Sequence, residues 1–298
     1  MTDLKNDIRL GHKHAFVDKS TVVIGRNLLD GHYACPEKNG TIVVRNLKRE
    51  SEQWCANRDS WAAYDFSNYP YNKYWNFLYM EMYWWGESKP FGCDYVKRGC
   101  YLKPDDVVVD IGASIGVFTR RALEKGAKRV YAFEPSVDAY KCLLLNVDHS
   151  KVDTQRSAVY SHSGYQTMMM TKEAYPMLGI DGGTNREVIE RVLVPCYTLD
   201  DLIGLGVLPT KIDFMKVDVE GAELELFDAL SDTNLANIDR LAIEMHRHLS
   251  SEKSKERTLR FESLYKRLKS NFDYNKITLY NRGSKGGWTE TVCLWRNS

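Results

Sequence analysis

The chain has 298 residues, 43% hydrophobic and 27% charged, with a formal net charge of +1. That is globular composition without the basic excess needed to grip a phosphate backbone, which sets nucleic acid aside as a substrate. No stretch reaches the about 18 apolar residues of a membrane span, the start (Met1-Thr-Asp-Leu-Lys) lacks an apolar signal core, and the seven scattered cysteines include no CxxC pair, so a reduced, cytoplasmic protein is expected, with no zinc site or disulfide framework signalled.

Residues 54–101 are crowded with rings, from Trp54 and Trp61 through Trp84-Trp85 to Tyr95 and Tyr101. Lys103-Pro-Asp-Asp then turns into a different pattern. Val107 to Ile111 is a β-branched run of the kind buried on both faces of a parallel sheet. Ile115, Phe118, Ala122 and Leu123 fall at helical spacing, and Gly126 suits the residue that closes such a helix. Further strands are predicted over Arg129–Phe133, Gln155–Tyr160, Ile212–Val217 and Arg240–Met245, with helices over Val137–Val147, Thr198–Leu205, Ala222–Leu230 and Arg257–Lys269. Tyr165–Met170 and Val188–Pro195 predict a strand pair around the Gly-rich stretch Gly179–Gly183. Lys276–Tyr280 and Thr289–Trp295 flank Asn281-Arg-Gly-Ser-Lys-Gly-Gly, a hairpin signature. Strands alternating with helices imply βαβ units. The expected fold class is therefore α/β over residues 95–298: a doubly wound, mainly parallel seven-stranded sheet of Rossmann-like kind, with an antiparallel C-terminal edge strand. An aromatic-rich extension over residues 1–94 precedes it.

Ligands of open α/β sheets bind beyond the carboxyl ends of the strands. The chemistry is accordingly expected at Asp110, Glu134, Asp218, and Glu244 with His246. The sharpest signal is Asp110-Ile-Gly112-Ala113-Ser114-Ile-Gly116, which ends a strand and opens a helix. Dinucleotide sites need G-x-G-x-x-G so that the backbone closes on a pyrophosphate; here the spacing is wider and a carboxylate precedes the first glycine. An anion there repels linked phosphates and suits a ligand carrying a cation. S-Adenosylmethionine has an ammonium, a sulfonium and a carboxylate, and no phosphate. Asp110 is expected to meet the ammonium, Gly112 to let the ligand close on the backbone, and the amides opening the helix to meet the ligand carboxylate. Glu134-Pro135 closes the second strand, 24 residues after Asp110, where an acidic side chain can accept both ribose hydroxyls.

These residues resemble class I methyltransferases, and the FkbM-type group in particular. Three stretches carry the likeness: Val108-Val-Asp-Ile-Gly-Ala-Ser-Ile-Gly-Val-Phe-Thr, Tyr131-Ala-Phe-Glu-Pro and Phe214-Met-Lys-Val-Asp-Val-Glu-Gly-Ala-Glu, with Ile243-Glu-Met-His and Thr198-Leu-Asp as weaker additions. The resemblance covers about residues 95–298. It implies an S-adenosylmethionine-dependent O-methyltransferase acting on a sugar, glycan or other hydroxylated small molecule. The expected cofactor set is Asp110, Gly112, Ala113, Ser114, Gly116, Glu134, Pro135, Ser157, Ala158 and Asp218. Where the group often shows an acidic residue after the third strand, this chain has Ser161.

Methyl transfer to a hydroxyl requires an aligned acceptor and removal of its proton. Asp218 follows the fourth strand, Glu220 opens the next helix, and Glu244 and His246 share one face of the fifth strand. These four are the expected catalytic residues, His246 as base. A divalent ion on Asp218, Glu244 and His246 is a variant of the same reading, with no diagnostic ligand spacing. Residues 61–95 are expected to cover the acceptor, with Trp84, Trp85 and Tyr95 stacking on it and most other rings packing. A nicotinamide-dependent oxidoreductase is the rival enzyme and wants a third glycine in the turn. A nucleic-acid N-methyltransferase wants Asn/Asp-Pro-Pro-aromatic where this chain has Asp218-Val-Glu-Gly.

Overall fold

A computed structural model of the chain describes residues 100–114, 116–171, 176–178, 188–248, 253–281 and 287–297, together with short strands within the first 65 residues. Contacts divide the chain into two units: Met1–Gly92 with Lys141–Asn146, and Cys93–Tyr140 with Val147–Ser298. In the first, β1 (Ile8–Leu10), β2 (Lys13–Val17), β3 (Val22–Val23), β4 (His32–Pro36), β5 (Thr41–Asn46) and β6 (Ala63–Asp65) pair antiparallel in chain order. Each strand pairs with its neighbour in sequence, the pattern of an antiparallel meander.

The chain then runs through β7 (Val107–Ile111), α1 (Val117–Glu124), β8 (Arg129–Phe133), α2 (Val137–Asn146), β9 (Val152–Gln155), β10 (Ala158–Val159), β11 (Gly164–Thr171), β12 (Pro176–Leu178) and β13 (Val188–Tyr197). It continues through α3 (Leu199–Gly204), β14 (Ile212–Val217), α4 (Glu223–Asp228), α5 (Asp232–Leu235), β15 (Ile238–His248), α6 (Lys253–Asn271), β16 (Tyr274–Asn281) and β17 (Gly287–Trp295). One mostly parallel sheet has the order β16-β17-β15-β14-β7-β8-β9. β9, β8, β7, β14 and β15 run parallel, while β17 is antiparallel to both of its neighbours.

Two sequence expectations need correction. The C-terminal antiparallel strand is not at the edge: β17 inserts between β15 and β16, and β16 is outermost. The third parallel strand is Val152–Gln155, not Gln155–Tyr160. Ala158–Val159 instead joins a second sheet of order β10-β13-β11-β12, whose β11–β13 pair was anticipated.

Interior strands are apolar because both faces are covered. Val108, Val109, Ile111, Phe214, Met215 and Val217 are all buried. Phe227, Leu241, Phe261 and Leu268 belong to the same core. Helix ends follow local chemistry. Gly116, at φ +93, precedes α1, and Gly126, at φ +89, returns its N–H to Leu123 O at 2.9 Å. Thr198 caps α3 by accepting the N–H of Asp201 at 3.0 Å. At the sheet's amino edge Arg240 on β15 pairs twice with Asp106, at 2.6 and 2.9 Å, and donates to Tyr101 O at 2.6 Å. Among the described residues no helix is long and apolar enough to cross a membrane.

Candidate active site

Register builds the site. Phe133, Ile111, Val217 and Ile243 are partners in one row across β8, β7, β14 and β15. The next residue on each strand is therefore at the carboxyl edge: Glu134, Gly112, Asp218 and Glu244. One row back, Asp110 lies directly across from Lys216.

That pairing gives Asp110 a partner within the chain. Asp110 is 0% exposed. Thr119 Oγ1 donates to its Oδ2 at 2.6 Å, and Lys216 Nζ stands 3.2 Å from its Oδ1. Lys216 also donates to Gly112 O at 2.6 Å. The expected lone anion is thus half of a buried ion pair, which holds the turn from beneath. The N–H groups of Gly112 and Ala113 both go to Phe133 O, at 3.0 and 2.9 Å. Gly112 adopts φ +76, and a Cβ there would lie 1.8 Å from Asp218 O. Glycine is required here because the β14 loop packs on it. Glu134 accepts from Ser114 N–H and Ser136 N–H, each at 2.8 Å, so one carboxylate ties the first turn to the start of α2. Burial pushes its pKa up to about 7, against those two amides and the Lys216 charge.

The other half of the edge is acidic. After Asp218 the backbone turns left-handed at Glu220 (φ +50) and Gly221 (φ +109). His246 Nδ1 lies 2.8 Å from Glu223 Oε1, which also accepts Gly221 N–H at 2.8 Å. His246 Nε2 stands 3.4 Å from Glu220 Oε2 and 3.7 Å from Glu244 Oε1. Burial works against a charge on His246, but Glu223, Glu220 and Glu244 outweigh it and push the imidazole up to about 10. Glu223 is held below the usual carboxylate range, its burial outweighed by His246. Burial, then Glu244, pushes Asp218 up to about 7. Three carboxylates, Asp218, Glu220 and Glu244, thus stand on the same edge as His246 and join the imidazole as groups able to take a proton. One ligand atom each from Asp218, Glu220 and His246 lies within 4.8 Å of the others. The expected metal set had Glu244 in place of Glu220; the left-handed turn at Glu220 brings that residue in instead.

The family model for the methyltransferase FkbM domain matches residues 110–274, the whole of this edge. The chain belongs to the FkbM methyltransferase family. A 31-O-demethyl-FK506 methyltransferase, FkbM, of Streptomyces tacrolimicus is 30% identical over 181 residues, covering 51% of this chain and 70% of that protein. Methyltransferase 1 of Beauveria bassiana is 27% identical over 168 residues, 48% of this chain and 66% of that protein. Among solved structures, M. jannaschii TYW2 in complex with AdoMet is 17% identical, covers 65% of this chain and 71% of that one, and superposes with a TM-score of 0.36.

Within this FkbM-family enzyme, the structure brings Gly112, Ala113, Ser114, Glu134, Asp218, Glu220, Glu244 and His246 to one edge. Gly116 sits at the mouth of α1 and Pro135 directly after Glu134. Ser157 follows β9, buried, its hydroxyl without a hydrogen-bond partner. Ala158 opens β10 and belongs to the buried cluster of the small sheet with Tyr160, Met168, Val194 and Cys196. Trp84, Trp85 and Tyr95 lie outside the described residues. Three residues escaped the sequence reading: Thr119, Lys216 and Glu223. Thr119 and Lys216 sit inside the quoted motifs, and period two from Asp218 to Lys216 was the available signal. Glu223 also lies inside a quoted run, but its meeting with His246 depends on how α4 docks against β15.

Proposed function

We propose that this FkbM-family methyltransferase transfers the methyl group of S-adenosylmethionine to a hydroxyl of a sugar, glycan or other polyhydroxylated small molecule. The observation that carries the reading is the carboxyl-edge row itself. Glu134 and Gly112 form a nucleoside half, Asp218 and Glu244 a proton-handling half, and the two halves touch where Asp218 O meets Gly112. The residues fit the cofactor. Glu134 is fixed by two amides and keeps lone pairs for ribose hydroxyls. The Ser157 hydroxyl is a shielded polar group of the kind a bound nucleoside satisfies. A pyrophosphate fits poorly, because the Gly112 and Ala113 amides are already used by Phe133 O.

When bound, the cofactor supplies a sulfonium methyl group and a thioether leaving group. The chain's own residues do the rest. Glu134 orients the ribose. The cluster of Asp218, Glu220 and Glu244 positions the acceptor hydroxyl and takes its proton as the oxygen–carbon bond forms and the carbon–sulfur bond breaks, its electron pair going to sulfur. The oxygen acceptor follows the Streptomyces relative, whose name records methylation at a 31-O position. Cys100, Cys196 and Cys293 are buried as thiols, in keeping with a cytoplasmic setting.

The test is a calorimetric titration of S-adenosylmethionine against NAD, followed by a screen of sugars, nucleotide sugars, glycans and polyketide alcohols for release of S-adenosylhomocysteine. Binding of the first ligand and turnover with a hydroxylated acceptor are expected. Preferential binding of NAD would overturn the reading. Asp218→Ala should lose about 100-fold or more in turnover.

A further inference from the structure

We propose that Asp218, Glu220 and His246 form a binding site for one divalent cation of the Mn2+ and Mg2+ class, on which the acceptor's hydroxyl oxygen sits. What the ion does there rests on the methyltransferase reading; that it binds does not.

Three observations carry the site. First, the ligand atoms are gathered in one small cluster, with one pair already at coordination spacing. Around an ion with bonds of about 2.1 Å, neighbouring ligand atoms are roughly 3 to 4 Å apart. His246 Nε2 and Glu220 Oε2 are 3.4 Å apart, and one atom each from Asp218, Glu220 and His246 lies within 4.8 Å of the others. A good hydrogen bond between imidazole and carboxylate would be shorter, about 2.7 to 2.9 Å.

Second, His246 Nε2 is aimed into this set and makes no hydrogen bond, although its side chain is only 8% exposed. A buried ring nitrogen in that condition lacks something to bind.

Third, the far side of the ring is arranged as for a metal-ligating histidine. Nδ1 faces Glu223 Oε1 at 2.8 Å, and Glu223 is fully buried and held in turn by Gly221 N–H. A carboxylate that accepts Nδ1–H fixes the tautomer with Nε2 as the open donor. Arg257 accounts for Gly221 O, at 2.5 Å, so the turn carrying Glu220 is anchored on both sides.

Two carboxylates and one imidazole suit Mn2+ or Mg2+, with coordination positions left open. An acceptor with two adjacent oxygens, such as a vicinal diol, would fill two of them. The ion lowers the pKa of the bound hydroxyl. Its proton passes to Glu244, which lies outside the ligand set, 3.7 Å from His246 Nε2. The oxygen–carbon bond forms, and the carbon–sulfur electron pair leaves with sulfur.

The experiment titrates Mn2+ alone into the full-length protein after EDTA stripping, followed by water-proton relaxation, with S-adenosylmethionine titrated separately in EDTA by calorimetry. One Mn2+ per chain is expected, displaced by Mg2+. Glu220→Gln should weaken it about 10-fold or more, and Glu223→Gln, which touches no metal, by a factor in the range of about 10 to 100. Cofactor affinity in EDTA should stay within about 2-fold of wild type in Glu220→Gln, which reports that the variant is folded. Absence of Mn2+ binding in the wild type, or Mn2+ binding unchanged by both Glu220→Gln and His246→Gln, would overturn the site. Loss of S-adenosylmethionine binding with Mn2+ binding intact would overturn the cofactor reading and leave the metal site standing.

Discussion

A methyl group at position 112 would meet the Asp218 carbonyl oxygen at 1.8 Å while holding φ at +76, a region that alanine avoids. The obstacle is backbone, so no side chain can swing away. Gly112→Ala should therefore separate β7 from the β14 loop, lowering stability by about 3 kcal/mol or more in urea unfolding and abolishing cofactor binding. An unchanged midpoint would show that the two turns do not pack as described. Glu134 carries a different prediction. Its ordinary value is 4.5, and burial raises it to about 7. Only the charged form offers both oxygens to ribose hydroxyls, so cofactor affinity should rise as pH goes from about 6 to about 8. Glu134→Gln should bind about 10- to 100-fold more weakly, as expected for losing hydrogen bonds to a charged group. The variant should also flatten the pH dependence. Calorimetry across that range checks both, and an equally steep profile in the variant would remove Glu134 from the site.

Elements are tied together at the end of the sheet away from the site. Arg240 on β15 grips Asp106, which leads into β7, with two hydrogen bonds in a buried setting, and its guanidinium lies 6.0 Å from the Phe214 ring centre. Arg240→Ala leaves Asp106 buried without its cation, which costs about 3 kcal/mol and, at the scale usual for domains of this size, roughly 6 to 12 °C in Tm. Cofactor affinity of the folded fraction should not move; a large affinity change would mean that strain at the amino edge reaches the carboxyl edge. The order of strands and helices was legible because Val107–Ile111 and Ile212–Val217 are continuous apolar runs and Gly126 and Thr198 mark helix ends. What escaped was pairing between distant segments. The hairpin signature at residues 281–287 joins β16 to β17 but does not say which of them meets β15. Gln155–Tyr160 reads as one strand, because nothing local reveals that Ala158 pairs with Cys196 in another sheet. At the site, Asp110, Glu134 and Asp218 were found because strand ends are local features. The Lys216 partner of Asp110 and the Glu223 partner of His246 depend on register and helix docking.

The whole molecule gathers several buried charges at one edge, and their titration sets how its stability varies with pH. Glu134 and Asp218 are both raised to about 7 by burial, Asp218 also by Glu244. Between its unfolded value and about 7, each keeps a proton in the folded state that the unfolded chain has released, so each makes stability fall with rising pH over that window. His246 is raised to about 10, since Glu223, Glu220 and Glu244 outweigh its burial. Its contribution is complete below its ordinary 6.5 and is lost as pH climbs from there to about 10. Glu223 is lowered and acts in the opposite sense: its contribution holds above its ordinary 4.5 and is lost on acidification. At this edge three groups therefore weaken the fold on the alkaline side and one on the acid side, where the lowered surface carboxylates Asp148 and Asp201 act in the same sense as Glu223, so the edge of the cofactor-free, EDTA-stripped protein contributes most on the acid side of neutrality. A tenfold change in a group's proton affinity on folding is worth about 1.4 kcal/mol, so Tm should drop by roughly 5 °C or more between about pH 5.5 and about pH 8.5. Thermal melts across that range, repeated on Glu134→Gln, check the argument. The variant should lose part of the slope below about pH 7 and keep the slope above it, which belongs to His246. A wild-type Tm that rises toward pH 8.5 would mean that these groups are not gathered in one desolvated edge.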